Sequence, residues 1–227
     1  ESAVALRSAL ETFTEGRLVV SLIEMPIKCP VAPLEFAFLA EAHFTDLGIR
    51  DKVEIVYTTP MSSVFTKPVA SEHLGNMFDQ RDIHLEPDFY LERVDPESKM
   101  LVSYDEREVP YDLLVTVPVN MGASFVGDAG IGDELNHVRV DPGNFQSPDY
   151  PNIFALGDAA SLPTSKAGSV AHFAMDTFVP NFLDYLLGLP MKHEFDGHVN
   201  CYIETGHDKA MLIDFNYKTQ PLLGKYP

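Results

Sequence analysis

A strand, a helix and a second strand follow one another near the start of the chain, and this order constrains the fold more than any other feature. Residues 17–23 form a largely apolar run with several β-branched residues, which is typical of a strand buried on both faces. Helical periodicity covers residues 33–47 and stops at Gly48, and residues 53–58 supply the next strand. We therefore expect an α/β fold with a parallel sheet and a right-handed crossover.

The remaining pattern predicts a small β-meander that returns to the larger sheet, followed by a loop-rich stretch, a long helix and a hairpin. The predicted elements are a helix over 3–13, a helix over 71–79 with Ser71 as its N-cap, strands at 90–94, 99–104 and 111–117, a buried strand at 152–158, a helix over 166–187 that contains Pro180, and hairpin strands at 198–204 and 209–217.

Composition excludes several classes of protein. The 227 residues are 45% hydrophobic, which is enough for a folded core, so disorder does not describe the chain. The 16 basic and 34 acidic residues give a net charge of −18, which repels phosphate backbones, so nucleic acid is not an expected partner. Charged residues interrupt every long apolar stretch, so no membrane-spanning segment is expected.

The loop after the first strand is a natural ligand position in such a sheet, but it carries no glycine. Binding of a dinucleotide needs backbone amides close to the pyrophosphate, whereas this loop contains prolines and the pair Lys28-Cys29. NAD(P) is therefore not expected to bind here. Lys28 and the following helix N-terminus both favour a thiolate at Cys29. The alternative is that Cys29 is a small buried apolar residue.

Gly157 and Asp158 end the predicted strand at 152–158 and precede the long helix. A glycine allows close approach of a ligand, and the carboxylate can accept hydrogen bonds from a polyol; the alternative is a simple helix cap. Lys166 opens the long helix with the wrong charge for the helix dipole, which predicts an electron-rich partner such as a reduced flavin or a quinone oxygen, unless Lys166 is a solvated surface lysine. His172 is predicted to be a core histidine of the same helix.

The chain has only two cysteines, Cys29 and Cys201, so it can form one disulfide at most. Cys201 lies on the first predicted hairpin strand. His198 is the one metal-binding side chain near it, and neither cysteine has ligands at a suitable spacing, so no metal site is expected.

Five motifs in this order resemble the sulfide:quinone oxidoreductase family, a branch of the FAD-dependent pyridine nucleotide-disulfide oxidoreductases. They are KCPVAP at 28–33, LLVTVP at 113–118, IFALGDAA at 153–160, PTSKAG at 163–168 and CYIETG at 201–206. A related family member is the flavoprotein subunit of flavocytochrome c sulfide dehydrogenase.

The resemblance implies a reaction in which sulfide attacks a cysteine disulfide, a thiolate passes two electrons to FAD, and quinone then accepts them. It implies that Cys29 and Cys201 are the redox pair. It also implies that Gly157, Asp158, Lys166 and Pro118 contact the cofactor, which would be FAD, and that sulfide and quinone are the substrates.

The sequence departs from the family pattern in two respects. Family members begin with a G-x-G-x-x-G segment that binds the ADP half of FAD, and this sequence contains no such segment. Family members also continue, past the position of Pro227, into amphipathic helices that lie on the membrane. We therefore expect an incomplete fold of the two-dinucleotide-binding-domain flavoprotein type that lacks the N-terminal Rossmann half. The expected domains are a degenerate βαβ domain with the meander at 1–108, the later part of the FAD domain at 109–188, and the start of a C-terminal domain at 189–227.

Such a fragment is expected to be soluble and inactive by itself. The full-length protein is expected to bind FAD. It is also expected to be a peripheral membrane protein that attaches through the C-terminal segment missing here. Two alternatives stay open: a flavocytochrome c-type sulfide dehydrogenase subunit, and a non-catalytic remnant that acts as a binding domain. A type II NADH dehydrogenase is disfavoured by the glycine-free loop that contains Cys29.

Overall fold

The structure, a computed structural model, describes residues 2–222. These residues divide into two compact units. The first unit comprises residues 2–25, 31–119 and 203–211, and the second comprises residues 26–30, 120–202 and 212–222. The three-domain division expected from the sequence stays a prediction.

The first unit is built on the predicted strand–helix–strand pattern. Its elements are α1 (Ser2–Thr12), β1 (Gly16–Leu22), α2 (Ala32–Asp46), β2 (Val53–Thr58), α3 (Pro68–Gln80), β3 (Ile83–Glu86), β4 (Leu91–Asp95), β5 (Met100–Ser103), β6 (Glu108–Pro110) and β7 (Leu113–Val117). The strands β3-β2-β1-β7 form a parallel sheet in that order. The central strand β1 is fully buried from Leu18 to Val20 because every side chain there is apolar. The prediction of a parallel α/β sheet is confirmed.

The meander β4-β5-β6 is antiparallel, and β7 then joins the parallel sheet beside β1, as predicted. Val19, Val56, Phe89, Leu101 and Val109 form one buried cluster, so the meander packs on the sheet through this cluster. The predicted strand at 111–117 did not include β6, which is only three residues long and buries a single side chain. Strand β3 was missed because it is also short, with four residues.

The prediction that Ser71 caps α3 is wrong. The helix begins at Pro68, and Lys67 is its N-cap. Proline has no backbone N–H to leave unsatisfied in the first turn, so it starts the helix three residues earlier than the serine suggested. Ser71 is instead buried, and its hydroxyl accepts a hydrogen bond from the backbone N–H of Phe65 at 3.3 Å.

The second unit contains α4 (Ser124–Asp128), β8 (Val138–Arg139), β9 (Ala160–Ser161) and α5 (Gly168–Leu186). The hairpin of β10 (Val199–Gly206) and β11 (Lys209–Phe215) runs through both units. The long helix with an internal Pro180 and the hairpin were both predicted, and both are confirmed. Among residues 2–222, no helix is both long and apolar enough to cross a bilayer.

The predicted strand at 152–158 is wrong. Only Phe154 forms an isolated bridge, with Gln146, and a 3-10 turn follows at Gly157–Ala159. The Phe154 ring contacts the rings of Phe178 and Phe182, with centroids 5.9 and 5.4 Å away. The apolar run therefore packs on α5 through an aromatic cluster instead of joining a sheet.

Candidate functional site

Cys29 lies on a short segment that runs beside the residues preceding α5. Lys28 and Lys166 form a parallel β-bridge, and the backbone N–H of Cys29 donates to the carbonyl of Lys166 at 2.8 Å. Cys29 has a φ of 53°, in the left-handed region that L-residues rarely adopt, and the residue is exposed. The alternative that Cys29 is a buried apolar residue is therefore wrong.

Cys201 lies on β10 and is partly buried. Its neighbour Asn200 makes a reciprocal contact with Ser169 in the first turn of α5. The Ser169 hydroxyl donates to the carbonyl of Asn200 at 2.7 Å and accepts from the N–H of Asn200 at 3.3 Å. The structure therefore joins both cysteine-bearing segments to the entrance of α5, one at Lys166 and the other at Ser169.

Sequence reasoning missed Ser169, although a hydroxyl in the first turn of a helix was a usable signal. Such a side chain can satisfy backbone groups that the helix itself leaves unpaired. In this fold it satisfies both backbone groups of Asn200 on a different element.

Lys166 is buried, with 8% of its surface exposed, so the surface-lysine alternative is wrong. Its ammonium donates to the backbone carbonyls of Asp158 and Ala160, each at 3.0 Å. These carbonyls explain why a cation is tolerated at the start of a helix. Burial lowers the pKa of Lys166 below its ordinary value, although the carboxylates of Asp158 and Asp133 oppose that shift.

Gly157 and Asp158 lie on the 3-10 turn rather than at the end of a strand. Gly157 has a φ of 59°, and a Cβ added there would lie 3.3 Å from the Cβ of Ala171 on α5. The helix-cap alternative for Asp158 is wrong, because Ala167 is the N-cap of α5. The Asp158 carboxylate is half exposed and lies 4.0 Å from the Lys28 ammonium.

Asp133, an acidic residue that the sequence pattern did not single out, hydrogen-bonds the short strand that follows this turn. Asp133 accepts hydrogen bonds from the Ser161 hydroxyl at 2.7 Å and from the N–H groups of His137 and Leu135 at 2.8 and 3.0 Å. Burial raises the pKa of Asp133, but these hydrogen bonds outweigh burial and hold that pKa below its ordinary value. Asp133 therefore stays ionised beside Ser161, the residue after one of the two Lys166 acceptors.

His137 is 2% exposed, and its Nδ1 lies 3.5 Å from the Asp133 carboxylate. Among the side chains that the structure describes, none hydrogen-bonds its buried Nε2. Burial lowers the pKa of His137, and the charge of Lys166 lowers it further. The histidine, the lysine and Asp133 are thus electrostatically coupled.

The structure also places His172 and Pro118, two residues that the sequence analysis singled out. His172 is exposed on α5, so the prediction of a core histidine is wrong. Pro118 directly follows β7 in the first unit and is exposed. In the part of the chain between residues 2 and 222, no three His, Cys, Asp or Glu side chains are grouped so that they could hold a metal ion.

No model of a known protein family matches the chain. The mitochondrial sulfide:quinone oxidoreductase of Dictyostelium discoideum is 31% identical over 195 residues, which cover 84% of this chain and 43% of that relative. The chain belongs to the sulfide:quinone oxidoreductase family. It spans about half the length of the curated sulfide:quinone oxidoreductases that it matches.

Two solved structures share the fold. The sulfide:quinone oxidoreductase of Aquifex aeolicus superposes with a TM-score of 0.74 at 18% identity, covering 93% of this chain and 56% of that one. A chain in the cryo-EM structure of the Tetrahymena thermophila mitochondrial ATP synthase superposes with a TM-score of 0.78 at 20% identity, covering 92% of this chain and 52% of that one. The expected fold class is therefore confirmed by an independent sulfide:quinone oxidoreductase structure.

Proposed function

We propose that this chain carries the thiol chemistry of a sulfide:quinone oxidoreductase, with Cys29 and Cys201 as the redox pair. The supporting observation is that both cysteine-bearing segments are hydrogen-bonded to the entrance of α5, through Lys166 at 2.8 Å and Ser169 at 2.7 Å. The exposure of Cys29 is consistent with access for a small nucleophile.

In the proposed reaction, hydrosulfide attacks one sulfur of the oxidised cysteine pair. The disulfide bond breaks, a new sulfur–sulfur bond forms a persulfide, and the other cysteine leaves as a thiolate. The hydrosulfide proton is released to solvent. The sulfide sulfur is thereby oxidised by two electrons, and the cysteine pair is reduced by the same two electrons. We propose that Lys28, which precedes Cys29 in the chain, favours a thiolate at that position.

FAD is the cofactor that the family implies, and the described residues fit it in part. The half-exposed carboxylate of Asp158 can accept hydrogen bonds from a polyol, and Gly157 leaves the turn without a side chain. The Lys166 ammonium uses two of its three protons on carbonyls, which leaves one donor for an electron-rich ring. We propose that Gly157, Asp158 and Lys166 hold FAD, which would accept the two electrons when bound. The contact of Pro118 with the cofactor, implied by the family resemblance, stays a prediction.

Quinone is the proposed final acceptor, because the relatives are named for it. A flavocytochrome c-type sulfide dehydrogenase would use the same cysteines and pass the electrons to a haem partner instead. Reduction of quinone in a membrane assay, compared with reduction of a haem protein, distinguishes the two. A mitochondrial location is proposed from the name of the Dictyostelium relative, and peripheral membrane association stays a prediction.

A non-catalytic role as a binding domain is the second candidate. The observation that favours it is the shared fold of a chain in the Tetrahymena ATP synthase structure. In this case the chain would serve an assembly rather than a reaction. Purified full-length protein would then be colourless, with no absorbance at the flavin bands, and sulfide would reduce nothing.

The redox proposal is tested by Cys29→Ser and Cys201→Ser in the full-length, FAD-loaded protein, with flavin reduction by sulfide followed by stopped-flow absorbance. Both variants are expected to lose rapid reduction by sulfide, because serine cannot form the disulfide that hydrosulfide attacks. Dithionite, which reduces flavin without the cysteines, is the control and should act equally on all three proteins. Rapid sulfide reduction in either variant contradicts the assigned role.

A further inference from the structure

A pocket of about 510 Å³ lies in the first unit, at the carboxyl ends of β1 and β2. Met25 follows β1 and Met61 follows β2, and both line it. Ligands of open parallel sheets bind at this edge. The glycine-free loop that disfavours a dinucleotide therefore leaves a pocket at the usual position for a ligand.

Two tyrosines form the wall that the meander contributes. The backbone N–H of Tyr104 donates to the carbonyl of Tyr90 at 2.9 Å, and the adjacent pair Leu91 and Ser103 is in register between β4 and β5. Tyr90 and Tyr104 are therefore directly opposed across the two strands, with side chains on the same face. Both side chains are accessible to a ligand, at 56% and 73% exposed.

The charge in this pocket has one sign. Glu24 is the one ionisable carboxylate among the described lining residues, and none of those residues is Lys, Arg or His. The chain as a whole carries a net charge of −18. An anionic ligand is repelled here, whereas a cation is attracted by the carboxylate and by the electron-rich tyrosine faces. The thioethers of Met25 and Met61 add polarizable surface against which alkyl groups can pack.

We propose that Tyr90, Tyr104 and Glu24 form a binding site for a small organic cation of the alkylammonium class. The aromatic faces contact the methyl groups of the cation, and Glu24 balances its charge. None of these three residues belongs to the proposed redox site, so failure of either proposal leaves the other standing.

The test uses choline and its neutral carbon isostere 3,3-dimethylbutan-1-ol as probes, titrated into the chain and followed by NMR or calorimetry. Saturable binding of choline is expected, with the neutral isostere bound at least several-fold more weakly. Tyr104→Ala should weaken choline binding by roughly 2- to 5-fold, because one cation–π contact at an exposed ring is lost. Tyr104→Phe keeps the ring and should retain binding, and Glu24→Gln should weaken it.

The matched control is Tyr150→Ala, which removes a tyrosine 41% exposed in the second unit. Circular dichroism confirms that each variant is folded. Equal binding of choline and its isostere would identify a merely apolar pocket and overturn the proposal. The proposal would also be overturned if folded protein showed no saturable binding of choline, or if Tyr150→Ala lost as much binding as Tyr104→Ala. Adenosine serves as a further probe, for a nucleotide site at the same sheet edge, and tighter binding of adenosine than of choline would overturn the proposal as well.

Discussion

Replacing Ser169 by Ala is expected to loosen the strand that carries Cys201. The Ser169 hydroxyl makes two hydrogen bonds to the backbone of Asn200, at 2.7 and 3.3 Å. Each ordinary hydrogen bond contributes about 0.5–1.5 kcal/mol, so the pair contributes about 1–3 kcal/mol. Alanine is the better helix former by roughly 0.5 kcal/mol, which offsets part of the loss. Because Asn200 is only half-buried and water can replace the hydroxyl, we expect a net loss of about 1 kcal/mol.

Two measurements check this expectation. Urea unfolding gives the change in stability, and thiol alkylation followed by mass spectrometry gives the labelling rate of Cys201. A local loss of about 1 kcal/mol should raise that rate roughly fivefold if labelling requires the strand to open. Ser8→Ala is the matched control, since Ser8 is an exposed helical serine of α1. If Ser169→Ala matches Ser8→Ala in both stability and Cys201 labelling, the anchoring argument is wrong.

The remaining predictions concern Lys166 and His137, two titratable residues of the second unit whose charges interact. Lys166→Met should destabilise the protein by about 1–3 kcal/mol in urea unfolding, because the carbonyls of Asp158 and Ala160 lose a buried donor. The control Lys28→Met removes only the exposed ion pair with Asp158 and should change stability by less than about 1 kcal/mol, so equal effects of the two variants would contradict the burial argument. Folding lowers the pKa of His137 from its ordinary 6.5, so the unfolded chain binds more protons below that pH, and the free energy of unfolding should fall as pH drops through 6.5. His137→Phe should flatten this part of the stability profile and the exposed-site variant His172→Ala should not, while an unchanged slope in His137→Phe would count against it.

Much of the fold could be predicted because its main elements are contained in contiguous windows. The largely apolar run of β1, the periodicity of α2 and the two strands of the hairpin each show their own pattern in the sequence. The exception at 152–158 has a physical cause. Phe154 packs in an aromatic cluster with side chains of α5. In the sequence, an apolar run that packs on a helix has the same pattern as a buried strand.

Some residues of the candidate site could be predicted from the sequence, and others could not. The cysteines and Gly157-Asp158 were visible because unusual residue types stand next to recognisable elements. Asp133 was not, because its role depends on Ser161, which lies far along the chain. A hydrogen bond between distant residues has no local pattern from which it could be predicted.

The sequence by itself determined that this is a parallel α/β protein with two cysteines, no glycine loop after the first strand and a strongly negative charge. The tertiary structure alone decided that Cys29 is exposed, that Lys166 is buried against two carbonyls, and that Ser169 anchors the strand of Cys201. The reason is that periodicity reports which face of an element is buried. Which residues meet at that face is decided by contacts between segments far apart in the chain.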